Sequence, residues 1–326
     1  MFNRREFLAA ASASAALAGW PGLSRAQALE TARILVGFPA GGTVDAVARR
    51  VADKMRGSYA KTVLVENKPG AGGRLAVEEL KRSAPDGTTL LVTPAAMITL
   101  YPHVYTKLAY GIEDVTPVST VAQVAFAFGV GPAVPESVKN IKDFLAWAKA
   151  NPALANYGSP GSGSPPHMEG ALLSKESGVE LRHVPYRGSA PGIQDLLGGQ
   201  VTAFSSPIGD YLPHLKSGKL RVLATSGPTR SRFAPDVPTY TEQGFKALEM
   251  VEWYGLFLPA KASPEVVQRA AAAVRAAMAT PDMAEGLAAF GLDVSVNSPA
   301  DLAKAVKEEN AAWGPIIKKV GFTPEA

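Results

Sequence analysis

From residue 33 to residue 92 the chain repeats one pattern: a short apolar run, a glycine-rich break, then apolar residues at helical spacing. Arg33-Ile34-Leu35-Val36-Gly37-Phe38 reads as a buried strand that Pro39-Ala40-Gly41-Gly42 ends. Val44, Val47, Ala48, Val51 and Met55 then recur on one helical face, with Thr43 as the expected N-cap. A second strand, Thr62 to Glu66, runs through Asn67–Gly73 into a helix from Arg74 to Arg82. Pro85-Asp86-Gly87 turns the chain into a third strand, Thr88 to Val92. Strand–helix–strand at this spacing requires right-handed crossovers and therefore a parallel sheet.

The alternation continues. Strands are expected at Ala125–Val130, Ala155–Gly158, Leu181–Val184, Val201–Phe204 and Leu220–Ala224. Helices are expected near Val138–Ala150, Met168–Ser177, Ala190–Leu197 and Ile208–Leu215. After Trp253–Leu258 the chain turns largely helical, with Ser263-Pro264 and Ser298-Pro299 as helix starts. At 326 residues two domains are expected, yet no low-complexity linker separates them. Lobes joined by crossing strands satisfy both facts, and Val118–Phe126 and Met250–Leu258 are the candidates.

The N-terminus reads as an export signal. Arg4 and Arg5 precede an apolar run through Ala18, and Ala26-Gln27-Ala28 matches a cleavage site. Asn3-Arg4-Arg5-Glu6-Phe7-Leu8 resembles a twin-arginine signal, with the general secretory route as the alternative. Removing residues 1–28 takes away three arginines and one glutamate, lowering the formal charge from +4 to +2. So small a charge, without a basic stripe, argues against nucleic acid as a partner. The absence of cysteine excludes thiolate metal sites and a cysteine nucleophile. His103, His167, His183 and His214 form no ligand pair at helical spacing, so neither a metal nor a cofactor is expected.

Two breaks suit an anion. In Phe38–Asp45 consecutive glycines lie between a strand end and a helix start, where free amides attract negative charge. Tyr157–His167 follows the same logic with small hydroxyl residues; both segments read equally well as ligand-free turns. Asn67–Gly73 reads as a rigid turn, and Trp253 and Tyr254 as core or hinge packing. A serine hydrolase is the remote rival, because Gly161-Ser162-Gly163-Ser164-Pro165 lacks the nucleophile-elbow pattern.

Seven ordered segments resemble the solute receptors of tripartite tricarboxylate transporters, the Bug-type receptors. They are Phe38–Asp45, Glu66–Gly73, Pro85–Gly87, Val184–Pro191, Leu196–Val201, Asp236–Thr239 and Trp253–Phe257. The resemblance implies an α/β, two-lobed periplasmic binding protein (type II, Venus-flytrap), with a mainly parallel sheet in each lobe joined by two crossing strands. By the same resemblance residues 29–124 plus 252–326 form lobe 1, and residues 125–251 form lobe 2. It further implies a monomeric, non-enzymatic receptor in the periplasm. Such a receptor captures a small organic mono-, di- or tricarboxylate and delivers it to inner-membrane transporter subunits. A ligand sensor feeding a signalling system is the alternative.

The ligand site implied by the resemblance draws on both halves. Phe38, Ala40, Gly41, Gly42, Thr43 and Asp45 come from the first loop, and Thr93, Ala95 and Ala96 from the loop after the third strand. Ser159, Gly161, Ser162, Gly163, Ser164 and His167 come from the second-lobe loop, joined by Tyr186, Ser206 and Trp253. Ser206 stands where many relatives place an aspartate, which implies a less acidic wall. Micromolar binding is about −8 kcal/mol, and a hydrogen bond to a charged group contributes about 1.5–3 kcal/mol. Four or five such bonds need no arginine.

Overall fold

Strand β1 (Leu29–Val36) sends Ile34 and Val36 into one buried cluster and Leu35 into another. A strand buried on both faces needs a helix on each. Helix α1 (Thr43–Met55) covers the first face with Val47, Ala48, Val51 and Met55. β2 (Ala60–Asn67) pairs with β1 in parallel, and α2 (Arg74–Arg82) covers the second face with Ala76, Val77 and Leu80. β3 (Thr89–Pro94) also pairs parallel to β1 and repeats the alternation, with Leu90 and Val92 on one side and Leu91 on the other. The expected N-cap is displaced by one residue. Gly42 occupies it in extended conformation without a side-chain hydrogen bond, and Thr43 is the first helical residue. The computed structural model describes residues 29–323, so the expected export segment lies outside the described residues.

The remaining strands are β4 (Val115–Val130), β5 (Asn156–Ser159), β6 (Arg182–Pro185), β7 (Ala203–Pro207), β8 (Arg221–Thr225), β9 (Val251–Pro259) and β10 (Asp293–Val294). Their order is β2-β1-β3-β9-β4-β7-β5-β6, with β8 and β10 also paired to β4. The segment expected as a separate strand at Ala125–Val130 is the second half of the 16-residue β4. Its first half pairs antiparallel with β9, and Phe126–Val130 pairs with β7 and β8. Each half of the molecule thus has a parallel core, β2-β1-β3 or β7-β5-β6, completed by antiparallel strands. Helices α3 (Ile141–Ala150), α4 (Pro165–Ser177) and α5 (Ser189–Leu197) accompany the second core. The helix expected over Ile208–Leu215 is two short turns, Ile208–Asp210 and Leu212–Leu215.

Ser226 fastens the crossover. Its hydroxyl donates to Met250 O at 2.7 Å and accepts from Phe126 N at 2.9 Å, while its own amide donates to Phe126 O. It is buried, so Ser226→Ala leaves an amide and a carbonyl without that bridge. Chemical denaturation should show a loss of about 1–3 kcal/mol.

The C-terminal helices α6 (Pro264–Met278), α7 (Pro281–Ala288) and α8 (Pro299–Val320) complete the fold. Both serine–proline starts form as expected: Ser263 caps Val266 N, and Ser298 forms a reciprocal box with Asp301. Helix α8 packs on α4 of the opposite half. There Lys319 pairs with Glu176, and the Phe322 ring meets His167 edge-on at 5.6 Å. No helix among the described residues is long and apolar enough to cross a membrane.

Candidate ligand-binding site

A cleft of about 850 Å³ opens between the two halves. The first loop supplies Phe38, Pro39, Gly42, Thr43 and Val44 to its lining, and the second-half loop supplies Pro160, Gly161, Ser162, Ser164, Pro165 and Pro166. The two glycine-rich segments therefore share one hollow. At the start of α1 the amides of Thr43 and Val44 have no intrahelical acceptor and sit at the positive end of the helix dipole.

Asp45 and Gly41, expected at the ligand, instead shape this loop from beneath. The buried Asp45 carboxylate accepts from Gly41 N at 2.8 Å, Arg49 Nε at 2.9 Å and Asn67 Nδ2 at 2.8 Å. Burial alone would raise this carboxyl, but Arg49, the Gly41 amide and Asn67 outweigh it and hold it below the ordinary carboxylate range. Ala40 does not line the cleft. Asn67–Gly73 is more than the turn expected, since Pro69, Gly70, Gly72 and Gly73 form part of the wall. Gly73 lies so close to Gly37 that a Cβ on Gly37 would meet the Gly73 carbonyl oxygen at 2.6 Å.

The glycine/serine loop offers fewer donors than its composition suggests. Pro165 and Pro166 open α4 without amide hydrogens, and His167 N turns back to Ser164 Oγ. Ser164 Oγ donates to Gly161 O at 2.7 Å, and Gly163 N donates to His167 Nδ1 at 3.0 Å. Ser159 is wholly buried, with its hydroxyl on Gly161 O and 2.8 Å from His183 Nε2. His167 stacks on His183 at 3.6 Å, behind the lining. Burial first, and His167 second, push the His183 imidazole down to about 3, so it is neutral at physiological pH. The better second-half donors lie at α5, whose first-turn residues Ser189 and Ala190 line the cleft and have no intrahelical acceptors. Gly188 N is spent on Pro160 O, joining the two loops.

The near wall also departs from the expectation. Ala95 is buried with its amide on Trp253 O, and Thr93 is buried within β3. Ala96 lines the cleft, but its amide is held by Glu252 Oε1 at 3.1 Å. Trp253 turns away, donating from Nε1 to Glu309 at 2.7 Å. Tyr186 packs on Phe204 and bonds Asp195, outside the lining. Ser206 lies inside β7, fully buried, and Pro207 takes the lining position beside it. The wall is therefore not stripped of acid: Glu252 stands in it, an acid set among apolar residues of a crossing strand. Phe38, Met97, Tyr101, Tyr105, Phe126 and Tyr254 make the rest of the surface largely apolar, with Arg187 as the cation at the lining.

Two sheets with parallel cores, sharing a strand and bordering one cleft rimmed by helix starts, define the two-lobed periplasmic binding proteins, which bind solutes rather than transform them. Residues 47–322 match the family described as the tripartite tricarboxylate transporter family receptor, and the chain belongs to that family. It is 29% identical to Protein BugT of Bordetella pertussis over 294 residues, 89% of each chain. Among solved structures it is similar to MatC of Rhodopseudomonas palustris with bound malate, at 28% identity and TM-score 0.77, covering 88% of this chain and 98% of that one. An R. palustris protein solved with adipate gives 27% identity and TM-score 0.82, covering 94% and 100%.

Proposed function

We propose that this receptor captures a small organic carboxylate in the periplasm, as a monomer, and delivers it to the membrane subunits of a tripartite transporter. The observation that carries this reading is the pair of helix starts on one cleft, Thr43–Val44 on α1 and Ser189–Ala190 on α5. Amides in the first turn of a helix suit an acceptor-only anion, and drawing them from both halves makes binding favour closure. Relatives solved with malate and adipate support a carboxylate as the ligand class. The division that suits such closure is residues 29–124 plus 252–326 against 125–251, changing over where Ser226 ties Phe126 of β4 to Met250, just before β9. Isothermal titration of folded protein with a panel of mono-, di- and tricarboxylates tests the proposal. At least one should bind with micromolar affinity; no heat from any would overturn it.

A further inference from the structure

Glu252 is the acidic side chain in the cleft lining. Oε1 accepts from Ala96 N at 3.1 Å, and among the described residues Oε2 makes no hydrogen bond. Among the described residues no Lys, Arg or His is ion-paired with it. The groups around it are acidic or phenolic: Glu309 from α8, and Tyr254 two residues along β9 with Asp210 acting on that tyrosine. Arg187 lines the cleft but forms no ion pair with it. Glu309 is held beside Glu252 by Thr99, Trp253 and Trp313, and burial raises its carboxyl as well, against the pull of these three donors, so the pair disfavours carrying two charges.

We propose that Glu252 acts as a neutral carboxylic acid: Oε1 keeps the Ala96 amide, and the hydroxyl on Oε2 donates to a second acceptor group of the ligand, favouring dicarboxylates over monocarboxylates. This rests on the carboxylate-receptor reading above. Burial, then Glu309, push this carboxyl up to about 8 against the pull of the Ala96 and Ala95 amides. The neutral form therefore prevails at pH 7, and an anionic ligand beside it favours that form further. Above this range Glu252 must take up a proton to bind, or repel the ligand.

The probes are succinate and adipate, each against its monocarboxylate analogue, butyrate or hexanoate, titrated from about pH 6 to pH 9.5. The wild type should prefer the dicarboxylates, and its affinity should hold to about pH 7 and then fall by up to about tenfold per pH unit above pH 8. Titration in buffers of differing ionisation enthalpy should show uptake approaching one proton per ligand at the alkaline end, a readout that needs no variant. Glu252→Gln, which keeps a donor and an acceptor, should retain binding at pH 6 and lose the alkaline fall. Glu252→Leu should lose the dicarboxylate preference. A pH-independent wild type, an alkaline fall retained by Glu252→Gln, or a preference for amino acids whose ammonium an ionised Glu252 would accept overturns the proposal. So does failure to bind either dicarboxylate at pH 6; only silence across the wider panel overturns the receptor reading.

Discussion

Gly42→Phe should fold and melt like the wild type and yet bind carboxylate at least about a hundredfold more weakly. Gly42 has φ −75° and ψ 168°, extended backbone open to any residue. A Cβ there would touch only Pro39 O, at an ordinary 3.5 Å. The side chain would instead fill the cleft in front of the Thr43 and Val44 amides. Losing two hydrogen bonds to a charged group costs about 3–6 kcal/mol, or two to four decades in Kd. Circular dichroism and thermal melts establish the fold, and titration with the tightest carboxylate of the panel measures the loss. Unchanged affinity in a well-folded variant would remove the first loop from the site.

Asp45→Ala should damage both fold and affinity. The change releases Gly41 N, Arg49 and Asn67 together, and the Asn67 amide also holds Phe38 O at 3.0 Å. At about 1.5–3 kcal/mol for each charged hydrogen bond, partly offset by Arg49 returning to water, a loss of about 3 kcal/mol is expected. Its pH dependence has a definite sign. Because the folded carboxyl titrates below its ordinary value, its contribution is present above about pH 4 and disappears as pH falls through the folded value. Urea unfolding of both proteins should therefore converge in acid. A gap that stays constant down to pH 2 would mean that the charge on Asp45 is not what braces the loop.

How much could be read from sequence follows the range of the interactions. The α1 face and the β1 and β3 strands were legible because their periodicity is local, and α2 begins and ends where its pattern says. The family was legible because seven ordered segments are hard to match by chance. Side-chain direction was harder. Asp45 follows the glycines immediately, but only the fold shows it beneath the loop, braced with Asn67 from the next strand. Asn67–Gly73 reads as a turn until Gly37 is seen against Gly73. Glu252 finds its amide partner 156 residues upstream. One signal was available: an acid within the apolar run Val251-Glu252-Trp253-Tyr254-Gly255-Leu256 asks for an explanation. Gly188-Ser189-Ala190 likewise repeats the strand–glycine–helix pattern of the first loop.

The way α8 reaches across to α4 has a practical consequence. With Lys319 and Phe322 lodged against the opposite half, the closure proposed above should make or break these contacts. Thr323 is exposed just beyond them, and the natural sequence holds no thiol. A single cysteine introduced there would carry a dye whose emission should change on adding a carboxylate if the halves close as proposed; unchanged emission would argue against that closure. The same spot is a poor place for a purification handle.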